Sequence, residues 1–408
     1  FRCCVHKERA ILRARTLAGL GFSIEEDDER TLLSDYARRA LTREKPEPNP
    51  LTVLESACHG CAESKMYVTD LCQNCVARPC MNACRFGAIQ HINGRSVIDT
   101  EKCKKCGLCM KACPYGAITK TVVPCENACP VGAIAKDANG SARIDKDKCI
   151  SCGKCVSACP FGAVHAKTQV IDVLRHIKAG RNVIALYAPA LVGHLPCRPE
   201  QIQDALLKVG FSSVYEVAQG ADITTLTEAH DFQERLDAGA PFMTTSCCAA
   251  YNELVNKHLP EIKPYVSDAH TPLYYTAEIA KKEHPDAVIV FLSPCFAKRR
   301  EVLDNPNVQY VLSFEELGAI LIAMGIEIDT CADRELAYQS AKESREFALS
   351  GGVARAVQAA WKGDKDAIKP VVISGLDKNT VRDLKIYAKT GHCPAGNLIE
   401  VMSCAGGC

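Results

Sequence analysis

The chain is constrained above all by where its cysteines fall. Of 26 in 408 residues, 16 lie between positions 58 and 159, and only 8 follow residue 168. Small secreted scaffolds use so many cysteines as staples. A chain of this length buries enough apolar surface to hold together without them. The first residues, Phe1-Arg2-Cys3-Cys4, carry no apolar leader, and no apolar run reaches the ~18 residues of a membrane-spanning helix. Lysine and arginine number 49 against 48 aspartate and glutamate, and this near balance argues against a nucleic-acid or anionic-membrane partner. The expectation is metal ligation in a reducing, cytoplasmic setting, with no membrane insertion.

The cysteine density also divides the chain. Residues 1–50 read as a helical segment followed by the Pro-rich linker Glu44-Lys-Pro-Glu-Pro-Asn-Pro50. Leu12, Leu17, Leu20, Leu32, Leu33, Tyr36 and Leu41 fall at helical spacing and are expected to face a core. Residues 51–168 hold the dense cysteines. From 169 to 408 strands and helices alternate: strands are predicted at 183–187, 213–217, 287–292 and 371–374, and helices at 199–209, 277–282 and 314–324. That alternation predicts an α/β domain of twisted sheets flanked by helices.

The dense segment is an internal repeat. Cys103-Lys-Lys-Cys106-Gly-Leu-Cys109-Met-Lys-Ala-Cys113-Pro114 recurs as Cys149, Cys152, Cys155 and Cys159-Pro160. Cys72, Cys75, Cys80 and Cys84 form a looser copy, and Cys125 with Cys129-Pro130 a half copy. A similar tail follows each: Phe86-Gly-Ala-Ile, Tyr115-Gly-Ala-Ile, Val131-Gly-Ala-Ile and Phe161-Gly-Ala-Val. Three thiolates at i, i+3 and i+6 can wrap one iron–sulfur cubane, while the fourth, before Pro, serves a neighbouring cluster. Structural zinc uses isolated sets of four and leaves the Cys-Pro unexplained.

This segment resembles the bacterial polyferredoxins, which implies an α+β ferredoxin-like domain with four accessory [4Fe-4S] clusters. By that resemblance Cys72, Cys75 and Cys80 pair with Cys113, Cys103, Cys106 and Cys109 with Cys84, and Cys149, Cys152 and Cys155 with Cys129. Cys58, Cys61, Cys125 and Cys159 remain for the fourth. His59, between Cys58 and Cys61, reads more simply as a solvated loop histidine than as a ligand.

Three further stretches lie downstream: Thr245-Ser246-Cys247-Cys248, Ser293-Pro294-Cys295-Phe296-Ala297-Lys298, and Glu400-Val-Met402-Ser-Cys404-Ala-Gly-Gly-Cys408. Cys248, Cys295, Cys404 and Cys408 can hold one more cubane. In order and spacing these stretches look like the signature motifs of the [FeFe]-hydrogenases, and Ala188-Pro189-Ala190, Gly220-Ala221-Asp222 and Ser350-Gly351-Gly352-Val353 fit as well. The resemblance implies reversible H2 oxidation and proton reduction at an H-cluster. That cofactor is a cubane joined through Cys408 to a diiron subsite with CO, cyanide and an azadithiolate, supplied by maturation proteins. It further implies protons and H2 as substrates and a soluble ferredoxin-like electron carrier. Pro189, Ala190, Ser246, Pro294, Lys298, Gly351, Gly352 and Met402 are then the residues expected around the cofactor. Cys247 is the expected first proton acceptor, with a relay through Glu228, Ser267 and Asp231 to Arg235. Read without the resemblance, Glu228, Asp231 and Arg235 could equally be an exposed helix face, and Lys298 part of a surface basic run.

The chain departs from the family pattern at Ala249-Ala250-Tyr251, Ser293, Phe296, Leu273 and Asp231, each replacing a more usual residue. Family members also continue beyond the last cysteine, so truncation at Cys408 is expected. Cys3, Cys4, Cys197, Cys331 and Cys393 have no role in this scheme. The competing reading is a catalytically silent relative that keeps its cubanes for redox sensing or cluster assembly.

Overall fold

The architecture is that of a computed structural model, which describes residues 4–364 and 366–408; Cys3 lies outside the described residues. Beyond residue 168 the chain forms two parallel sheets. The first runs Ser213–Glu216, Val183–Tyr187, Val288–Ser293, Tyr310–Ser313 across its width. The second runs Met243–Thr244, Leu398–Met402, Pro370–Ser374. Every pairing in both is parallel. The strand Val183–Tyr187 is buried at all five positions, as a strand covered on both faces must be. Its side chains alternate accordingly: Val183, Ala185 and Tyr187 join Ile202 and Leu206 on one face, and Ile184 and Leu186 join Leu273, Ala277 and Phe291 on the other.

Local chemistry sets the element boundaries. The helix Pro199–Val209 starts with Pro at its first turn, and Gln201 Oε1 accepts the Arg198 amide at 3.0 Å. It stops at Gly210, whose φ of +112° no side chain takes easily. The helix Phe314–Ala323 carries a capping box between Ser313 and Glu316.

The cysteine-rich segment folds into short antiparallel pairs, among them Leu51–Val53 with Val164–Ala166 and Ile89–Ile92 with Arg95–Ile98, separated by helices of four or five residues. The four tail glycines, Gly87, Gly116, Gly132 and Gly162, all have φ between +58° and +66°, so the repeated tail is a repeated left-handed turn.

The N-terminal segment forms the helices Val5–Gly19 and Leu33–Thr42. Leu17 and Tyr36 are buried as expected, but Leu12, Leu32 and Leu41 are 55–65% exposed. The apolar stripe is narrower than the leucine spacing suggested, because these helices pack on the body of the protein along one edge. Residues 44–50 are not a free linker. Arg43 is bonded through both nitrogens of its fork to the fully buried Asp172, and Glu47 pairs with the buried Lys167, whose backbone carbonyl accepts from Arg299.

Helix Ala218–Asp237 lies against Pro272–Glu283 with almost no clearance at Gly220, where an added Cβ would sit 2.0 Å from the Pro272 carbonyl oxygen. Gly220→Ala is expected to destabilise the protein by roughly 1–3 kcal/mol or more. Gly318→Ala, in a helix with nothing within 4 Å of the new methyl, is expected to stabilise it by about 0.5–1 kcal/mol. Thermal denaturation of the two variants should show opposite shifts.

Candidate active site and metal centres

The signature loops all leave the carboxyl ends of parallel strands, where open α/β sheets present their sites. Pro189 and Ala190 follow Val183–Tyr187, Cys295 follows Val288–Ser293, Cys247 and Cys248 follow Met243–Thr244, and Cys404 and Cys408 follow Leu398–Met402. These ends meet around a cavity of about 100 Å³. Its wall includes Pro189, Ala190, Pro294, Met402, Cys247, Cys295, Cys408 and Lys298, and is otherwise almost wholly apolar.

Four sulfurs converge on one side of it. Burial, and then the neighbouring Cys408, Cys248 and Cys404, push the Cys295 thiol far up. Burial and Cys248 push Cys408 to about 12. Thiols that disfavour one another's ionisation in a dry site are the donor set that a cationic iron–sulfur core stabilises. The backbone holds them in place: the Cys295 amide donates to Ser293 Oγ at 3.1 Å, and the Cys408 amide to the Ala348 carbonyl at 2.7 Å.

Gly351, Gly352 and Ser246, expected around the cofactor, are absent from the cavity wall. Gly351 takes a φ of +82°, and an added Cβ at Gly352 would sit 1.9 Å from the Glu346 carbonyl oxygen. Both shape the turn that starts the helix Gly352–Ala360. The fully buried Glu400 accepts the Gly351 and Ala354 amides at 2.7 and 2.8 Å, as an anion at a helix start does. The Ser350 amide in turn donates to the Gly406 carbonyl at 3.0 Å, so this turn and the Gly406–Cys408 tail support each other. Sequence reasoning misses Glu400 because an acidic residue inside a strand gives no local sign of its distant partners.

Lys298 is not a surface lysine. It lines the cavity, and its Nζ pairs with Glu301 Oε2 at 2.5 Å and approaches the Cys247 carbonyl at 3.5 Å. Burial works against its charge, but Glu301 outweighs it and holds the ammonium above its ordinary value. The i, i+3 spacing of Lys298 and Glu301 on one short helix is the signal that could have revealed the pair.

The expected relay is assembled at both ends. Glu228 is fully buried, and burial pushes its carboxyl to about 7 even though the Ser246 amide and hydroxyl donate to Oε1 at 3.1 and 3.3 Å. Its Oε2 has no hydrogen-bond partner among the described residues. Burial and then Glu228 raise the Cys247 thiol well above its usual range, so it stays protonated. At the outer end Asp231 accepts from Arg235 Nε at 2.5 Å and from the Asp268 amide at 2.9 Å. Arg235 also donates to the Pro264 and Val266 carbonyls. Ser267 Oγ accepts the Ala269 amide at 3.2 Å. Among the described residues no direct hydrogen bond joins it to either carboxylate. Among the described residues the inner and outer halves are therefore not joined by a direct hydrogen bond through Ser267.

The accessory cysteines gather in the sets named above. Cys72, Cys75, Cys80 and Cys113 line one small cavity, and Cys129, Cys149, Cys152 and Cys155 another. Burial, and then Cys152, Cys149 and Cys129, raise Cys155 to about 12. Cys109 lies beside Cys103 and Cys84, Cys125 beside Cys159, and Cys58 and Cys61 pack on the same core as Cys125. Cys106 is exposed on the loop before its helix. The tail amides explain the repeat further: Ala88, Ala133 and Ala163 donate to the sulfurs of Cys84, Cys129 and Cys159 at 3.2–3.4 Å. The buried Ser96 approaches Cys80 Sγ at 3.4 Å, a neighbour no repeat pattern marks. His59 is not simply solvated: it stacks on Phe161 with ring centroids 4.1 Å apart. Among the described residues no three His, Cys, Asp or Glu side chains are drawn close enough for a single metal ion; a cubane, being a larger body, asks for wider spacing.

Of the departures from the family pattern, Ser293 and Leu273 line the cavity, while Ala249, Ala250 and Phe296 sit where the two halves of the protein meet. Cys152, Cys248 and Cys295 pack around Ala249, Ala250 and Ala297. Phe296 lies over Gly153, where a Cβ would come within 2.6 Å of the ring. Tyr251 is fully buried and donates to Thr244 Oγ1 at 2.9 Å.

Residues 181–408 match the family described as iron only hydrogenase large subunit, C-terminal domain, and residues 96–119 and 142–165 match the 4Fe-4S binding domain. The chain is 27% identical over 254 residues to the NADP-reducing hydrogenase subunit HndD of Solidesulfovibrio fructosivorans, covering 50% of this chain and 43% of that one. It is 24% identical over 201 residues to iron hydrogenase 1 of Clostridium pasteurianum, covering 45% and 35%. With the periplasmic [Fe] hydrogenase large subunit of Nitratidesulfovibrio vulgaris the identity is 26% over 303 residues, covering 60% and 71%. The chain thus spans less than half the length of the first two relatives. A solved [FeFe]-hydrogenase of Chlamydomonas reinhardtii aligns at TM-score 0.46 and 20% identity, covering 58% of this chain and 81% of that one, a likeness that adds nothing to the family match. No helix among the described residues is long and apolar enough to cross a membrane. With more than half its length matched to the large-subunit domain and cubane-binding repeats ahead of it, the chain belongs to the iron-only hydrogenase family.

Proposed function

We propose that the chain catalyses the reversible reaction 2H+ + 2e− ⇌ H2. The observation that carries this is the meeting of Cys247, Lys298 and Cys408 on one apolar cavity beside the four converging thiols. Cys248, Cys295, Cys404 and Cys408 would hold the cubane, with Cys408 shared with the diiron subsite. When bound, that group supplies an iron site for H2 and an amine base beside it.

The chain's own residues do the rest. The apolar wall keeps bulk water out, which strengthens each charge inside. Lys298, fixed by Glu301, offers a cation to the anionic ligands of the subsite by a charge-assisted hydrogen bond. Cys247, kept protonated, can give up or take a proton at Sγ. Glu228, titrating near 7, can exchange it onward in either direction. Asp231 and Arg235 finish the route near the surface, and water bridges the gap beside Ser267. Cys152 packs against the same three alanines as Cys248 and Cys295, so the set Cys129, Cys149, Cys152 and Cys155 is the entry for electrons. The other three accessory sets, closed by Cys58, Cys61, Cys125 and Cys159 and by the two outer groups, extend the path toward a ferredoxin-like carrier. Maturation proteins and a reducing, cytoplasmic setting belong to the same proposal.

The deciding measurement is iron content together with infrared spectra of the matured protein. Bands of metal-bound CO and cyanide are expected, and a cubane-only spectrum would leave the silent, sensing relative as the better reading. Cys247→Ala is expected to retain the iron and the bands while H2 turnover falls about 10²- to 10⁴-fold; undiminished turnover removes Cys247 from the route. Cys408→Ser is expected to keep the accessory cubanes but to lose the CO and cyanide bands, and bands that survive this change would show that Cys408 is no bridge.

A further inference from the structure

The cavity has a second polar exit. Ser344 is 2% exposed and lies on its wall. Its hydroxyl donates to Asp222 Oδ1 at 2.6 Å, and the Tyr338 hydroxyl donates to Asp222 Oδ2 at 3.0 Å. Tyr338 is 44% exposed and lines an outer groove of about 410 Å³ with Tyr215, Glu216, Gln219 and Glu283. Cavity and groove are separated by one thickness of chain: Val217 and Ala218 line the former, Glu216 and Gln219 the latter. The direct hydrogen bonds that are missing beside Ser267 are thus present here without a gap.

We propose that Tyr338, Asp222 and Ser344 form a second proton route between solvent and the cavity, parallel to that through Cys247 and Glu228. It rests on the hydrogenase reading. A proton arriving at the Tyr338 hydroxyl lets that group pass its own to the Asp222 carboxylate. The neutral carboxyl, protonated on Oδ2, turns about its Cβ–Cγ bond to present that proton to Ser344 Oγ, while Ser344 turns its hydroxyl away and releases its original proton into the cavity. Rotation of the two hydroxyls restores the start, and H2 oxidation runs the sequence in reverse. No electrons move, and each group ends with the protons it began with. Neighbouring contacts set the resting position of the Asp222 carboxylate and of the segment that carries Ser344. The Ala341 amide donates to Oδ1 at 3.3 Å, and Arg345, next in sequence to Ser344, is held by Glu216 at 2.9 and 3.1 Å.

The second route carries what remains when the first is cut, so the test is made in Glu228→Gln protein. Adding Asp222→Asn, or Tyr338→Phe at the exposed end, is expected to lower the residual H2 turnover roughly tenfold or more. Each change should have a much smaller effect with Glu228 intact. The amplitudes of the CO and cyanide infrared bands should stay equal in all variants, which a bracing role of Asp222 would not give. Equal factors in both backgrounds, band loss in step with activity, or no residual turnover in Glu228→Gln protein would each overturn the proposal. Absence of the bands from the unsubstituted protein overturns the hydrogenase reading itself, and this route with it.

Discussion

The structure depends on parallel strands that end together. Val183–Tyr187 runs parallel to Val288–Ser293 in one sheet and Met243–Thr244 to Leu398–Met402 in the other, and the loops that follow all four meet at one cavity. Residues more than 150 positions apart in sequence thereby bring their thiols to one centre. No single contact holds that meeting. It is secured by backbone bonds, such as those from the Cys408 and Ser350 amides, and by the buried Glu400 carboxylate that orders the turn they share.

Burial is used here in two opposite ways. Around Cys247 and Glu228 it raises both groups, leaving the thiol protonated and bringing the carboxyl to about 7, which suits proton exchange at neutral pH. At Lys298 the Glu301 ion pair outweighs the penalty of burial and the charge stays, while at Glu400 burial still raises the carboxyl although two backbone amides donate to it. The difference lies in the partner each group finds, not in depth.

Much of this is legible in the sequence. Val183–Tyr187 and Pro199–Val209 can be placed to the residue, because one is a continuous apolar run and the other begins with Pro and ends before Gly. The cysteine sets can be grouped from a repeated spacing. The strands Met243–Thr244, Tyr310–Ser313 and Leu398–Met402 escape such reading: the first is two residues long, and Leu398–Met402 is broken by Glu400. The exposure of Leu12 and Leu41 is hidden for another reason, since spacing says which residues share a face but not how much of it is covered. Gly351 and Gly352 read as cofactor contacts because they sit in a recognisable motif; their work is to allow a turn. The pairing of Asp222 with Tyr338 and Ser344 depends on contacts that no short window contains, whereas that of Lys298 with Glu301 lies within one turn of helix.

The clamp at the base of the N-terminal helices bears on how far the protein can be taken apart. Asp172 has no exposure at all and Lys167 almost none, and both are neutralised from residues 43–47. Removing that stretch would strand two ions of opposite sign in an interior that cannot solvate them, a penalty of about 3–5 kcal/mol for each broken pair. The seam at the end of the helical leader is thus an electrostatic lock, with Lys167 and Asp172 fastening it to both of the segments that follow.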